Sequence, residues 1–140
     1  MPVDLPGGAD WIRAWMATSP FVGHLGMRLV RLESDLAEVV MPFRGELVTL
    51  GDVVHGGAIG ALIDSAATSA AWSGAEALGN PRGATVGFTV DFVAAAHGDD
   101  LTATARVIRR GRSLCFCDVD VVDGDARLVA KGLVTYKLGS

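Results

Sequence analysis

Over residues 26–42 the chain alternates apolar and polar side chains in two runs, MRLVRLES and LAEVVMP, with Ser34-Asp35 between them. A period of two marks half-buried strands, and the intervening pair predicts a tight turn. Residues 43–54 hold Gly45, Gly51 and Asp52, break the alternation and read as a loop. From Gly56 to about Ala77 small apolar residues continue without alternation, which predicts one long helix stopped by Gly79-Asn80-Pro81. Four further strands follow, over residues 82–93, 101–108, 114–122 and 127–137. In the first of them Ala84, Val86, Phe88, Val90 and Phe92 fall on one face, and Thr85, Gly87, Thr89 and Asp91 on the other. Turns are expected at His97-Gly98-Asp99-Asp100, at Arg109 to Ser113, and at the hairpin signal Asp123-Gly124-Asp125. Ahead of all this, residues 10–17 read as a short helix capped by Asp10, with Trp11, Trp15 and Ile12 or Met16 on one side, ended by Ser19-Pro20. The order ββαββββ predicts an α+β domain: one helix against one antiparallel sheet of about six strands. The expected unit is residues 1–140, with 1–20 as an N-terminal helical segment.

Composition narrows the function. Half of the residues are apolar, and the net charge is −4 with a pI near 5.2. That balance argues against a general nucleic-acid binder, which carries a basic face. The acidic start MPVDLPGGAD lacks the basic and apolar regions of a secretory signal. The longest apolar stretch, residues 58–72, is short for a bilayer and carries Asp64, Ser65, Thr68 and Ser69. A soluble cytoplasmic protein is expected. Cys115 and Cys117 share one face of a strand, with no second pair at ligand spacing. They read as a reduced core pair, and no metal site is expected.

Asp64 is the conspicuous residue, because a carboxylate amid Ala, Ile and Leu is costly to desolvate. Its structural explanation would be a hydrogen bond to Thr68, at i+4, or to Ser65. The other feature is His55-Gly56-Gly57 at the helix N-terminus, where free N–H groups and the positive dipole end favour an anionic or polarised oxygen. Glycine lets a ligand carbonyl approach the backbone.

HGGAIGALID, the T-V-x-F-x-V-x-F strand, the G-D-x-L-x-A-x-A-x-V strand, the R-x-G-R-S turn and the D-x-x-L-V-A-K-G strand together resemble the hotdog-fold acyl-CoA thioesterases. The likeness is to the phenylacetate-pathway (PaaI-like) branch, related to 4-hydroxybenzoyl-CoA thioesterase, and spans about residues 20–137. It implies hydrolysis of acyl-CoA to acid and coenzyme A with no cofactor besides the coenzyme A of the substrate. By resemblance, Asp64 is general base or nucleophile, and the Gly56 N–H polarises the thioester carbonyl beside His55 and Gly57. Thr68 holds Asp64, and Thr85, with Val86 next to it, lies where a relative carries a water-orienting serine. Arg109, Arg110, Gly111, Arg112 and Ser113 form a turn near the nucleotide end of coenzyme A, where Arg suits phosphate.

The sequence departs from that pattern in three places. Thr49 stands where many relatives have Asn, Asp52 where they have Gly, and Val93-Ala94-Ala95-Ala96 where they have Arg-Pro. Geometry adds a constraint: eight helical residues separate Gly56 from Asp64 by ~12 Å, too far to serve one carbonyl from one helix. A homodimer with two composite sites is therefore expected, in agreement with the resemblance, which further implies dimers paired into homotetramers. The partners expected are acyl-CoA and further copies of the chain, with neither nucleic acid nor membrane. Two other readings remain: a non-catalytic acyl-CoA binding module, and a hotdog hydroxyacyl dehydratase using His55 with Asp64. Trp11, Trp15, Phe21, Leu25, Leu47, Trp72 and Phe88 are candidate mouth residues for an aryl or medium-chain acyl group.

Overall fold

The computed structural model describes residues 7–76 and 82–139. Helix α1 (Gly8–Thr18) and the short α2 (Pro20–His24) precede the hairpin β1 (Arg28–Glu33) and β2 (Leu36–Met41). A 3-10 turn (Gly45–Leu47) and a small ribbon, β3 (Val48–Leu50) with β4 (Val53–Val54), lead to α3 (Gly56–Ser73). Strands β5 (Arg82–Phe92), β6 (Leu101–Arg110), β7 (Leu114–Val122) and β8 (Leu128–Gly139) complete the described chain. Six of these strands form one sheet in the order β1-β2-β6-β7-β8-β5, every neighbouring pair antiparallel. The sheet wraps α3, which is the arrangement expected from the alternation and from the resemblance.

Small residues allow that wrapping. Ala66, Ala67, Ala70 and Ala71 on α3 are fully buried, and so are Ala37, Ala103 and Ala105 on the facing strands. Larger residues, Leu62, Ile63, Val39, Val119, Val121 and Val134, interlock around them. Cys115 and Cys117 are free, buried on the helix side of β7. Burial pushes both thiols up, Cys117 to about 12, so they stay protonated.

Several local expectations need correction. Asp10 does not cap α1: the helix begins earlier, with Gly7 as N-cap and Asp10 within the first turn. The loop of residues 43–54 contains a 3-10 turn and the β3–β4 ribbon. Arg109 and Arg110 belong to β6 instead of the turn. The long helix ends at Ser73, short of Ala77, and the stop signal Gly79-Asn80-Pro81 lies outside the described residues. The reason is tertiary. Arg110 Nη2 donates to the Ala71 carbonyl at 2.8 Å and to Asp35 Oδ1 at 2.7 Å. Ser73 Oγ accepts from the Asp35 backbone N–H at 2.9 Å. The β1–β2 turn thus meets the last helical turn, and a Cβ at Gly74 would collide with the Asp35 carboxylate.

The faces of β5 also differ from simple alternation. Thr85 pairs with Tyr136, but Gly87 pairs with Thr135, so Val86 is an extra residue in a β-bulge. The bulge puts Thr85 on the same side as Phe88, Val90 and Phe92, toward α3, a placement no strict period of two allows.

The clamp at the end of α3 is testable. Arg110→Ala leaves the Asp35 carboxylate and a helix-terminal carbonyl without their donor, and should lower unfolding stability by about 1–3 kcal/mol in urea titrations. Arg109→Ala, at an exposed neighbouring position, should change it by less than about 0.5 kcal/mol.

Candidate active site

The first turn of α3 has four N–H groups to satisfy. His55 is the N-cap, and its Nδ1 accepts from the Gly57 N–H at 2.7 Å. The His55 carbonyl accepts from the N–H groups of Ala58 and Ile59 at 3.0 and 3.2 Å. Gly56 is left: among the described residues no protein group accepts its N–H. One donor at the positive end of an eighteen-residue helix is therefore open. Gly57, expected to bind substrate, has its N–H engaged by His55. A Cβ there would lie 2.9 Å from His55 Nδ1, so the second glycine makes room for the capping imidazole.

The open N–H borders a hollow of about 320 Å³ lined by Gly56, Thr49, Ile59, Phe92 and residues 93–96. Thr49 thus stands beside Gly56, and the Val93-Ala94-Ala95-Ala96 departure forms part of the same wall. Asp52 is occupied otherwise: its Oδ1 lies 2.9 Å from His97 Nδ1. Together with the Gly98 N–H donating to the Asp52 carbonyl, this ties the ribbon to the turn before β6.

Asp64 sits two turns further along α3, half-buried, and its Oδ1 accepts from Thr85 Oγ1 at 2.6 Å. Among the described residues Thr85 is its one hydrogen-bond partner, which leaves Oδ2 open. The expected tether, Thr68, does not hold Asp64. Its side chain lines a larger cavity of about 560 Å³ together with Thr85, Tyr136, Trp11, Trp15 and Trp72. Of the candidate mouth residues, the three tryptophans line this cavity. Leu25 and Leu47 are buried in the core, while Phe21 is exposed away from it and Phe88 stands half-exposed on β5. Val86, the bulge residue, is exposed.

Gly56 therefore lines one hollow, while the Thr85 that is bonded to Asp64 lines the other, so the donor and the carboxylate of one chain stand at two separate places along one helix. The basic turn divides similarly. Arg110 is committed to Asp35, Ala71 and Cys115, so it is not available for a phosphate as expected. Arg109 and Arg112 are exposed, and the turn closes by Gly111 N–H donating to the Leu114 carbonyl at 2.8 Å and Leu138 N–H to Ser113. Tyr136 escaped the sequence reading, although it is the chain's single tyrosine. Its position facing α3 follows from the register of β8, which alternation predicts, but its place in a cavity does not. Among the described residues no group of three His, Cys, Asp or Glu is placed to hold a metal ion. No described helix is long and apolar enough to cross a membrane.

A six-stranded antiparallel sheet wrapped about one long helix is the hotdog architecture. Residues 51–130 match the model of the Thioesterase superfamily, and the chain belongs to that family. It is a thioester hydrolase. A Mycobacterium tuberculosis protein named "Putative esterase Rv1847" is 34% identical over 119 residues, covering 84% of each chain. The Escherichia coli medium/long-chain acyl-CoA thioesterase YigI is 25% identical over 135 residues, covering 86% of each. The structure of the E. coli PaaI protein superposes with a TM-score of 0.82 at 22% identity, over 95% of this chain and 94% of that one.

The Thr85–Asp64 bond carries a prediction. Thr85→Val removes the donor without changing shape, and should reduce kcat about tenfold or more while changing KM little. Thr85→Ser should recover most of the loss, and steady-state thiol release measures both.

Proposed function

We propose that this chain hydrolyses acyl-CoA thioesters in the cytoplasm, at composite sites across a homodimer. The Gly56 N–H of one protomer and Asp64 of the other act on one thioester. The observation that carries the reading is the pair of unsatisfied groups on α3: one open N–H at its start and one open carboxylate oxygen eight residues later. A helical rise holds them ~12 Å apart in one chain. Two antiparallel copies of α3 about a twofold would bring each donor to the other chain's carboxylate.

The edge position of β5 supports that association. It is an eleven-residue strand whose outer side pairs with no other strand among the described residues, and Phe88 and Phe92 on its helix side are 44% and 56% exposed. A long edge with exposed apolar side chains is a ready template for pairing with another chain. Phe92 also lies against Gly56, so covering the edge would close the hollow beside the open N–H.

In this mechanism the Gly56 N–H donates to the thioester oxygen and stabilises the charge that grows there. Asp64, oriented by Thr85, either takes a proton from the attacking water or attacks the carbonyl carbon itself. The carbon–sulfur bond then breaks, and the coenzyme A thiolate leaves without needing strong acid assistance. An anhydride formed by direct attack would be hydrolysed by water in a second step. The acyl group occupies the tryptophan-lined cavity, and Arg109, at the end of β6, and Arg112, on the turn that follows, lie exposed where the nucleotide phosphates would bind. The name of the YigI relative supports coenzyme A as the thiol. A pairing of dimers through the outer sheet face, where Leu114, Phe116 and Leu133 are exposed, would complete a tetramer.

The decisive experiment mixes two variants. Gly56→Pro deletes the N–H at the first helical position, where proline is accommodated. Asp64→Asn deletes the base. Each homodimer should lose at least 100-fold in thiol release from a panel of acyl-CoA substrates. Unfolded and refolded together in equal amounts, they should regain about a quarter of wild-type activity, since half the dimers carry one intact site of two. Activity that stays absent in proven heterodimers would refute the composite site. A wild type that releases no thiol from any acyl-CoA would refute the activity.

A further inference from the structure

The cavity next to Thr85 is walled by Trp11, Trp15, Trp72 and Ile12, and one hydroxyl is fixed in that wall. Trp72 Nε1–H donates to Tyr136 Oη at 2.7 Å. A phenol that receives this bond keeps its own proton to give away. Among the described residues no acceptor takes it. Burial holds the Tyr136 hydroxyl protonated well above neutral pH. The fixed placement has a requirement on the neighbouring strand: a Cβ at Gly83 would collide with the Tyr136 hydroxyl, so glycine there lets the ring lie across β5. Tyr136 is also the cross-strand partner of Thr85, the residue bonded to Asp64. Trp72 stands eight residues beyond Asp64 on α3, ~12 Å along the axis. The hydroxyl lies in the wall of the cavity, held by Trp72 and still within the electrostatic reach of Asp64, with Thr85 standing between the two residues.

We propose that Tyr136 is a specificity-determining residue. Aimed by the Trp72 N–H, its proton is given to an oxygen at the remote end of the acyl group. The cavity thereby favours acyl groups bearing a hydrogen-bond acceptor there over hydrocarbon groups of equal shape. This rests on the reading that the acyl group of the thioester occupies this cavity. The preference arises because a site built to donate one directional bond loses it when the acceptor is replaced by a methylene.

The test uses isosteric pairs: 4-methoxyphenylacetyl against 4-ethylphenylacetyl, and 6-methoxyhexanoyl against octanoyl. Each is presented as a coenzyme A ketone analogue with a methylene between sulfur and carbonyl, which no thioesterase can cleave. Calorimetric titration of the wild type should show the ether bound about tenfold tighter than the hydrocarbon in at least one pair. Tyr136→Phe should erase that difference while leaving affinity for the hydrocarbon within about twofold. Should Tyr136→Phe fail to fold, Trp72→Phe, which keeps the hydroxyl but not its aim, should narrow the difference. Equal affinities in both pairs for the wild type, or a preference untouched by both substitutions, would overturn the proposal. Because binding is read without turnover, a chain that hydrolysed nothing would sink the hydrolytic reading and leave this one standing or falling by itself.

Discussion

Close approach between α3 and the sheet is the constraint on which the rest of the molecule depends. A strand ladder comes this near a helix only where side chains on both sides are small, and Ala66, Ala67, Ala70 and Ala71 face Ala37, Ala103 and Ala105 across the contact. The alanines contribute little burial energy each; what they provide is proximity, with the larger aliphatic residues supplying the apolar area around them. Proximity brings the backbone and short side chains of the sheet within reach of groups on the helix. A threonine hydroxyl on β5 can then meet an aspartate on α3 directly at 2.6 Å, with no long side chain to span a gap. A bulkier interface would have separated them.

The two ends of α3 are treated in opposite ways. At the start, the cap formed by His55 satisfies three N–H groups and leaves the Gly56 N–H open. At the finish, Arg110 supplies a cation to the Ala71 carbonyl, where the helix dipole is negative, and binds Asp35 at the same time. One end is thus left with chemical capacity and the other is spent on anchorage. That division explains why neighbouring arginines in one short motif have different surroundings. Arg110 is bonded to the helix end and to Asp35, whereas Arg109 and Arg112 have no hydrogen-bond or ion-pair partner among the described residues.

Much of this was legible in the residues. Period-two alternation located every strand of the main sheet, and the glycine-led apolar run located α3 at its correct start. Asp64 stood out because a charge amid small apolar residues needs a reason, and the ~12 Å between it and Gly56 followed from helical rise alone. The remainder depended on contacts between segments distant in sequence. The end of α3 is fixed by Arg110 and Asp35, thirty-nine and thirty-eight residues away from their helix partners. The partner of Asp64 is Thr85, twenty-one residues on, where local spacing favoured Thr68. Tyr136 gained its neighbour Trp72 across sixty-four residues. Periodicity reports which way a residue faces, and says nothing of which residue it will meet.

The extra residue at Val86 acts as a phase marker in β5. Before it, the helix-facing positions run on one parity of residue number; after it, on the other, so Thr85 and Phe88 share a face although their numbers differ by three. When related chains are aligned by matching hydrophobic alternation along this strand, the half containing the site residue slips by one place wherever the bulge is gained or lost. A threonine or serine in the aligned column would then belong to the solvent face, while its true counterpart sat in the adjacent column. Comparing such chains at this position requires counting from the bulge.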